Sequence, residues 1–233
     1  MLFRQLFEPQ SSAYTYLIAC EESREAALID PVLETVERDL ELLQSLRLTL
    51  RFTIETHLHA DHVTGASKLR DRTGCLCAAP DKSGVEDVDV PVREGEPIRI
   101  GGLELTPLYT PGHTDDHHCY LLESRGCARI FTGDALLIDG CGRTDFQNGD
   151  AATLYRSVHD KIFSLPPDTL VYPGHDYQQR HVSSVSQERE RNPRLGGGKS
   201  IEEFVAIMSA LNLPRPKKMD VAVPANRECG QVH

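Results

Sequence analysis

Residues 56–65 read Thr-His-Leu-His-Ala-Asp-His-Val-Thr-Gly (THLHADHVTG), which places His57, His59, Asp61 and His62 within six positions. Imidazole and carboxylate are the side chains that hold divalent metal ions through nitrogen and oxygen. Helix caps and solvated surface positions do not call for four of them in so short a span. The stretch follows Arg51–Glu55, a run of aromatic and β-branched residues that predicts a strand. Val63–Arg70 then predicts a helix that opens near the Asp61–His62 pair. Strand, loop, helix is the arrangement in which α/β sheets present their sites, beyond the carboxyl ends of the strands. His57 and His59 stand two apart in extended chain and so face the same way, with Asp61 and His62 following as the backbone turns. The stretch by itself is compatible with one ion or with two.

Working outward, three further segments repeat the pattern of a strand, a glycine turn and a metal-capable residue. Leu103–Tyr109 leads into Thr110-Pro-Gly-His113, Arg129–Phe131 into Thr132-Gly-Asp134, and Leu170–Val171 into Tyr172-Pro-Gly-His175. Glycine lets the backbone turn sharply and approach closely, so each side chain is presented at a sheet edge. Together the segments supply up to seven groups. Further strands are predicted at Tyr14–Cys20, Ala26–Asp30, Cys75–Ala79 and Cys119–Glu123. Helical spacing occurs at Val36, Leu40 and Leu43, and at Leu154, Val158 and Ile162 behind an Asp150 N-cap. Ser200-Ile-Glu-Glu203 is a capping-box pattern that opens a helix with Ile201, Phe204, Val205, Met208 and Leu211 on one face, ended by Pro214. Interleaved strands and helices predict the α/β class. The organisation expected is one domain over residues 1–233 with a short C-terminal appendage from about residue 192. In it, NPRLGGGK (192–199) reads as a flexible linker and the proline-broken tail as surface wrapping.

Composition excludes some functions. At 233 residues, 39% hydrophobic and 26% charged, the chain has the material for a sizeable core. A net charge of −10 and a pI near 5.4 argue against a nucleic-acid or anionic-membrane partner, either of which calls for a basic face. No apolar run approaches the ~20 residues that span a bilayer. The N-terminal MLFRQLFEP has neither the apolar core of a secretory signal nor the composition of a transit peptide, which points to the cytoplasm. Seven cysteines with no CxxC pair predict buried thiols rather than a disulfide framework, including Cys141 in its glycine-flanked loop.

HxHxDH followed in order by PGHT, TGD and PGHD resembles the metallo-β-lactamase superfamily over roughly residues 10–180. The resemblance implies a four-layered αββα sandwich with the site at one edge between the sheets. In the dinuclear hydrolases of that superfamily, such as glyoxalase II, His57, His59 and His113 would hold one ion, Asp61, His62 and His175 the other, and Asp134 would bridge them. A metal-bound hydroxide would then attack a carbonyl. All of those groups are present.

The remaining motifs narrow the resemblance. FTGDALLI (131–138), GCGRTDFQ (140–147), PGHDY (173–177), NPRL (192–195), LNLP (211–214) and VPAN (223–226) are similar to the persulfide dioxygenases, nearly end to end. Glyoxalase II would instead carry a larger helical domain at the C-terminus. This resemblance implies one Fe(II) per chain, held by His57, His113 and Asp134, with His59, Asp61, His62 and His175 orienting ligands and waters behind them. It implies glutathione persulfide and O₂ as substrates, sulfite and glutathione as products, a place in sulfide oxidation, and a possible homodimer. A tripeptide with two carboxylates needs anchors in an acidic protein: Arg143 and Arg194 are expected to take carboxylates, Asp145 the amino group, and Tyr177 to form a hydrogen-bonding wall. One departure is Asp115-Asp116-His117-His118, where relatives often carry small residues; His117 and His118 are expected to decorate a turn. His159, His181 and His233 are read as surface or core histidines. Besides the iron dioxygenase, a two-metal thioester hydrolase and a non-catalytic metal-binding module remain open at this level.

Overall fold

The computed structural model describes residues 1–232, so His233 lies outside the described residues. Leu2–Glu8 (β1), Ala13–Ala19 (β2), Glu25–Ile29 (β3), Thr49–Ile54 (β4), Leu76–Pro80 (β5) and Val90–Val92 (β6) lie side by side in that order. The first three strands pair antiparallel, and β3 to β6 pair parallel. A second sheet holds Ile98–Ile100 (β7), Leu103–Tyr109 (β8), His118–Ser124 (β9), Cys127–Gly133 (β10), Leu170–Pro173 (β11) and Ser183–Ser184 (β12). Its strands are antiparallel except for the β10–β11 pair. The helices are Val36–Ser45 (α1), Ala66–Thr73 (α2), Ala151–Ser157 (α3), Val185–Arg191 (α4), Ile201–Ser209 (α5) and Met219–Arg227 (α6).

The layering follows from side-chain alternation along the strands. In β2, Tyr14, Tyr16 and Ile18 face the second sheet and meet Leu105, Tyr120, Phe131 and Tyr172. The intervening Leu17 and Ala19 face the other way, onto Val36 and Leu43 of α1 and Leu69 of α2. A strand covered on both faces reads as an unbroken apolar run, which is why AYTYLIA is buried throughout. The second sheet repeats the arrangement. Its outward Cys119, Ile130 and Val171 pack on Leu154, Val185, Phe204 and Met208 from α3, α4 and α5. Three apolar seams therefore separate four layers, helix, sheet, sheet and helix, the architecture the motifs imply.

Several local expectations hold. Asp150 accepts the Thr153 amide as an N-cap, and Ser200 and Glu203 form a reciprocal capping box. Four strands, β1, β6, β7 and β12, have no counterpart in the sequence reading. The short ones carry too few residues for period-2 alternation to show, and β1 is an edge strand with a mixed burial pattern. The helix expected from Val63 starts only at Ala66, because residues 57–65 follow an irregular path that the site requires. NPRLGGGK is not a free linker. Asn192 and Leu195 are buried, and the Asn192 amide bonds the Gly140 carbonyl and the Glu188 carboxylate. The tail is not loose wrapping either, since it forms α6 with Pro224 on its exposed side and buries Ala222, Ala225 and Asn226.

One buried charge gives a stability prediction. Asp39 on α1 is fully buried, its Oδ1 bonded to the Arg38 guanidinium and its Oδ2 without a hydrogen-bond partner among the described residues. Burial pushes its carboxyl up to about 6, with Arg38 pulling partly the other way. Because the folded chain keeps this proton to a higher pH than the unfolded chain, stability falls as pH rises from ~4 to ~6 and stays lower above. Asp39→Asn is therefore expected to stabilise the protein at pH 7 by up to ~3 kcal/mol and to change little at pH 3.5. Thermal melts at the two pH values check this, and equal shifts at both would contradict it.

Candidate metal centre

The carboxyl ends of β4, β8, β10 and β11 meet at one edge of the sandwich and deliver His57, His113, Asp134 and His175 respectively. His57, His113 and Asp134 each offer one ligand atom, and the three atoms lie within 4.8 Å of one another. Hydrogen bonds at the opposite side of each group decide which atom that is. The His113 Nδ1–H donates to the Arg143 carbonyl at 2.7 Å, leaving Nε2 with its lone pair free, 3.6 Å from Asp134 Oδ2. The Thr56 hydroxyl donates its one hydrogen to Asp30 Oδ2 at 2.8 Å, so at 2.9 Å its oxygen accepts from His57 Nδ1, which again frees Nε2. Asp134 Oδ1 accepts from His175 Nδ1 at 2.7 Å. Two imidazole lone pairs and one carboxylate oxygen are left facing a common point. That donor set suits a divalent metal ion.

Electrostatics agree with those roles. Burial, reinforced by His59 and His113, holds the His57 imidazole well below the ordinary histidine range, hence neutral and fit to ligate. Burial favours a protonated Asp134, but the charge of His175 and its hydrogen bond outweigh it and keep the carboxylate ionised. His175 is the counterpart, with Nδ1 on Asp134 and Nε2 on Asp61 Oδ2 at 2.9 Å; burial opposes its charge, and the two carboxylates raise it well above the ordinary value. Asp61 also accepts from His62 Nδ1 at 2.9 Å. His59 Nε2 faces Asp30 at 3.1 Å and Glu55 at 3.3 Å. Among the described residues His59 Nδ1 and His62 Nε2 make no hydrogen bond, and His59, Asp61 and His62 form a second group with ligand atoms within 4.8 Å.

The loop that carries these residues is braced from afar. The Leu58 amide donates to Asp116 Oδ2 at 2.8 Å, and its carbonyl accepts from Gln147 Nε2 at 2.5 Å. His117 is fully buried: its Nδ1 meets the Thr110 hydroxyl at 2.9 Å and its Nε2 accepts the Asp134 amide at 3.2 Å. His118 is buried too and bonds the Asp116 carbonyl. The Asp116-His117-His118 segment is thus a brace behind the candidate ligands rather than turn decoration. The expectation failed because a polar triplet after a turn reads as solvated unless its long-range partners are known. The bracing roles of Asp30, Asp116 and Gln147 were missed for the same reason, although Gln147 closes the GCGRTDFQ motif and Asp116 lies in the noted departure.

A cleft of about 680 Å³ opens over His113, Asp134 and His175, and all four proposed substrate anchors lie on or beside it. Arg143 Nε and Nη2 bond both oxygens of Asp145, at 2.6 and 2.7 Å, and Nη1 bonds the Pro214 carbonyl at 2.7 Å. The guanidinium fork is already engaged, and Asp145 is its partner. The Arg194 guanidinium bonds the Cys141 carbonyl and sulfur and has no carboxylate partner among the described residues. Tyr177 is 78% exposed, its ring nearly parallel to the His175 imidazole. Cys141 is buried beneath the cleft, its thiol pushed up to about 11 by burial, as an inert thiol requires.

Comparison with known proteins adds to this geometry. The family model described as the metallo-beta-lactamase superfamily matches residues 9–175. The chain is 52% identical over 231 residues to the mitochondrial persulfide dioxygenase ETHE1 of Mus musculus, covering 99% of this chain and 89% of that one. The crystal structure of ETHE1 from Myxococcus xanthus superposes with a TM-score of 0.95 at 54% identity, over 99% of this chain and all of that chain (100%). A hydroxyacylglutathione hydrolase of Rhodospirillum rubrum is more distant, at 34% identity over 187 residues, 79% of this chain and 70% of its own.

Proposed function

The chain belongs to the persulfide dioxygenase family within the metallo-β-lactamase superfamily, and on that footing we propose that it oxidises glutathione persulfide with O₂ and water to sulfite and glutathione, at one ferrous ion per chain. The observation that carries this reading is the convergence of His57 Nε2, His113 Nε2 and Asp134 Oδ2, each freed by a hydrogen bond on its other side, with His113 and Asp134 lining the cleft. His57, His113 and Asp134 would hold the ferrous ion, and when bound it would supply the redox chemistry for O₂ and the persulfide sulfur.

The protein's own groups do the rest. Both atoms of O₂ end on the terminal sulfur and water supplies the third oxygen, so that the persulfide, O₂ and water give glutathione, sulfite and two protons. His175, charged between Asp134 and Asp61, fixes the ligand carboxylate and holds a proton beside the reacting sulfur. Arg194, the cleft guanidinium without a carboxylate of its own, takes a glycyl or glutamyl carboxylate of the substrate. Arg143, bonded to Asp145 and to the Pro214 carbonyl, shapes the wall, and the remaining lone pairs of the Asp145 carboxylate face the substrate amino group. Tyr177 covers the opening beside His175. The cytoplasmic location and the possible homodimer belong to the same reading; the mitochondrial designation is that of the mammalian relatives.

A second reading is a two-metal thioester hydrolase, favoured only by the additional His59, Asp61 and His62 group. Metal analysis with an oxygen electrode separates the two. About one iron per chain and O₂ uptake with glutathione persulfide is the expected outcome, whereas two metals and S-lactoylglutathione hydrolysis without O₂ would establish the hydrolase. Arg194→Ala is expected to raise KM ~10–100-fold with little change in kcat, the pattern of a lost binding contact.

A further inference from the structure

We propose that Asn226, on the C-terminal helix α6, is a positioning residue that clamps the metal-binding loop and thereby sets how tightly the centre holds its ion. Residues 57–64 run outside regular structure, so their buried backbone groups need partners from elsewhere. Asn226 supplies three of them through one side chain that is 3% exposed. Its Oδ1 accepts the Thr64 amide at 2.8 Å, and its Nδ2 donates to the His59 and His62 carbonyls, both at 2.9 Å. Two donors and one acceptor in a planar fork match those three groups. A carboxylate in the same place would face two carbonyls with no hydrogen to give, and a glutamine is one methylene too long.

Other contacts dock the helix independently of that amide. Ala222 and Ala225 pack on Val63, the Ser67 amide donates to the Cys229 carbonyl at 2.9 Å, and the Glu86 amide donates to the Arg227 carbonyl at 2.6 Å. Gly230, at φ +87°, approaches so closely that a Cβ there would lie 2.1 Å from the Thr64 carbonyl. What Asn226 adds to this docking is register. The peptides it grips carry His59 and His62, whose rings lie 4.3 Å apart, and the His59 ring lies 4.1 Å from that of the ligand His57. A shift of the loop is therefore passed directly to a ligand. Groups that orient ligands from behind typically contribute ~10–100-fold in metal affinity.

The inference rests on His57, His113 and Asp134 being the ligands. Its test is the rate at which a strong chelator strips cobalt(II), used as an air-stable probe, from the loaded full-length protein. Asn226→Asp, isosteric but lacking both donors, and Asn226→Ala should each speed release ~10–100-fold. Val221→Gly, at an exposed position of the same helix, weakens it by ~0.5 kcal/mol without touching the loop and should lower Tm and leave release unchanged. Wild-type release rates in the Asn226 variants, or equal acceleration in Val221→Gly, would overturn the clamp. A measurement on the unmodified chain applies even where a variant does not fold: the Thr64 amide should exchange slowly with solvent deuterium, and exchange at the rate of an open loop would equally refute it. Failure of the ligand assignment looks different, because cobalt would then bind Asp134→Ala as well as it binds the wild type.

Discussion

Replacing Asp134 with alanine is expected to give a folded chain that takes up no iron and turns over no persulfide, with activity reduced by at least ~10³-fold. In the proposed centre Asp134 supplies the one anionic ligand atom, and loss of several kcal/mol of charge stabilisation corresponds to that factor. The change has a second consequence that a cleft residue would not show. His175 loses the carboxylate on its Nδ1 and keeps only Asp61 on Nε2, so its protonated form is less favoured in the variant than in the wild type. His113→Ala should abolish loading equally, because it removes the nitrogen 3.6 Å from Asp134 Oδ2. Iron content by elemental analysis and O₂ consumption are the measurements. Full iron occupancy or turnover in either variant would remove these residues from the centre.

Gly112→Ala is the substitution expected to cost the most stability. Gly112 stands at φ +135°, a conformation that residues with side chains rarely adopt, and a Cβ there would lie 2.3 Å from the backbone nitrogen of Leu154 and 2.4 Å from its Cα. Leu154 is fully buried on α3 against the second sheet, so the helix backbone has nowhere to move. Relief requires the turn to shift, and the next residue on that turn is His113. The expected loss is ~4 kcal/mol or more, equivalent to a fall in Tm of ~8–16 °C for a chain of this size, with weakened metal retention in whatever remains folded. Thermal unfolding of the metal-free protein isolates the first effect, and an unchanged Tm would mean that the turn is far softer than its contacts indicate.

The two predictions differ in how much of each could be read beforehand. Asp134 and His113 stand in short motifs where strand, glycine turn and ligand follow one another, and such local order survives in a linear text. So do the long strands β2 and β8 and the capped helix α5, whose hydrophobic period or capping residues are contained within a few turns of chain. Short strands such as β6 and β12 hold their places only through neighbours, and α6 was obscured by a proline that its exposed position tolerates.

What the sequence alone determined was the inventory: seven metal-capable groups, four glycine-bearing or histidine-rich loops at strand ends, and an interleaving of strands and helices that gave the α/β class, with the two stacked sheets implied by the family resemblance of the motifs. Tertiary structure decided which atom of each group is free. The lone pairs on His57 and His113 depend on hydrogen bonds to Thr56 and to Arg143, and the second of these partners is 30 residues away. It also committed Arg143 to Asp145 and Pro214, turned His117 inward behind Asp134, and brought Asn226 back across more than 160 positions to the loop. The physical reason is common to all four. A backbone turn is set by residues adjacent in the chain, whereas the state of a polar side chain is set by whatever buried partner the rest of the fold places within about 3 Å of it.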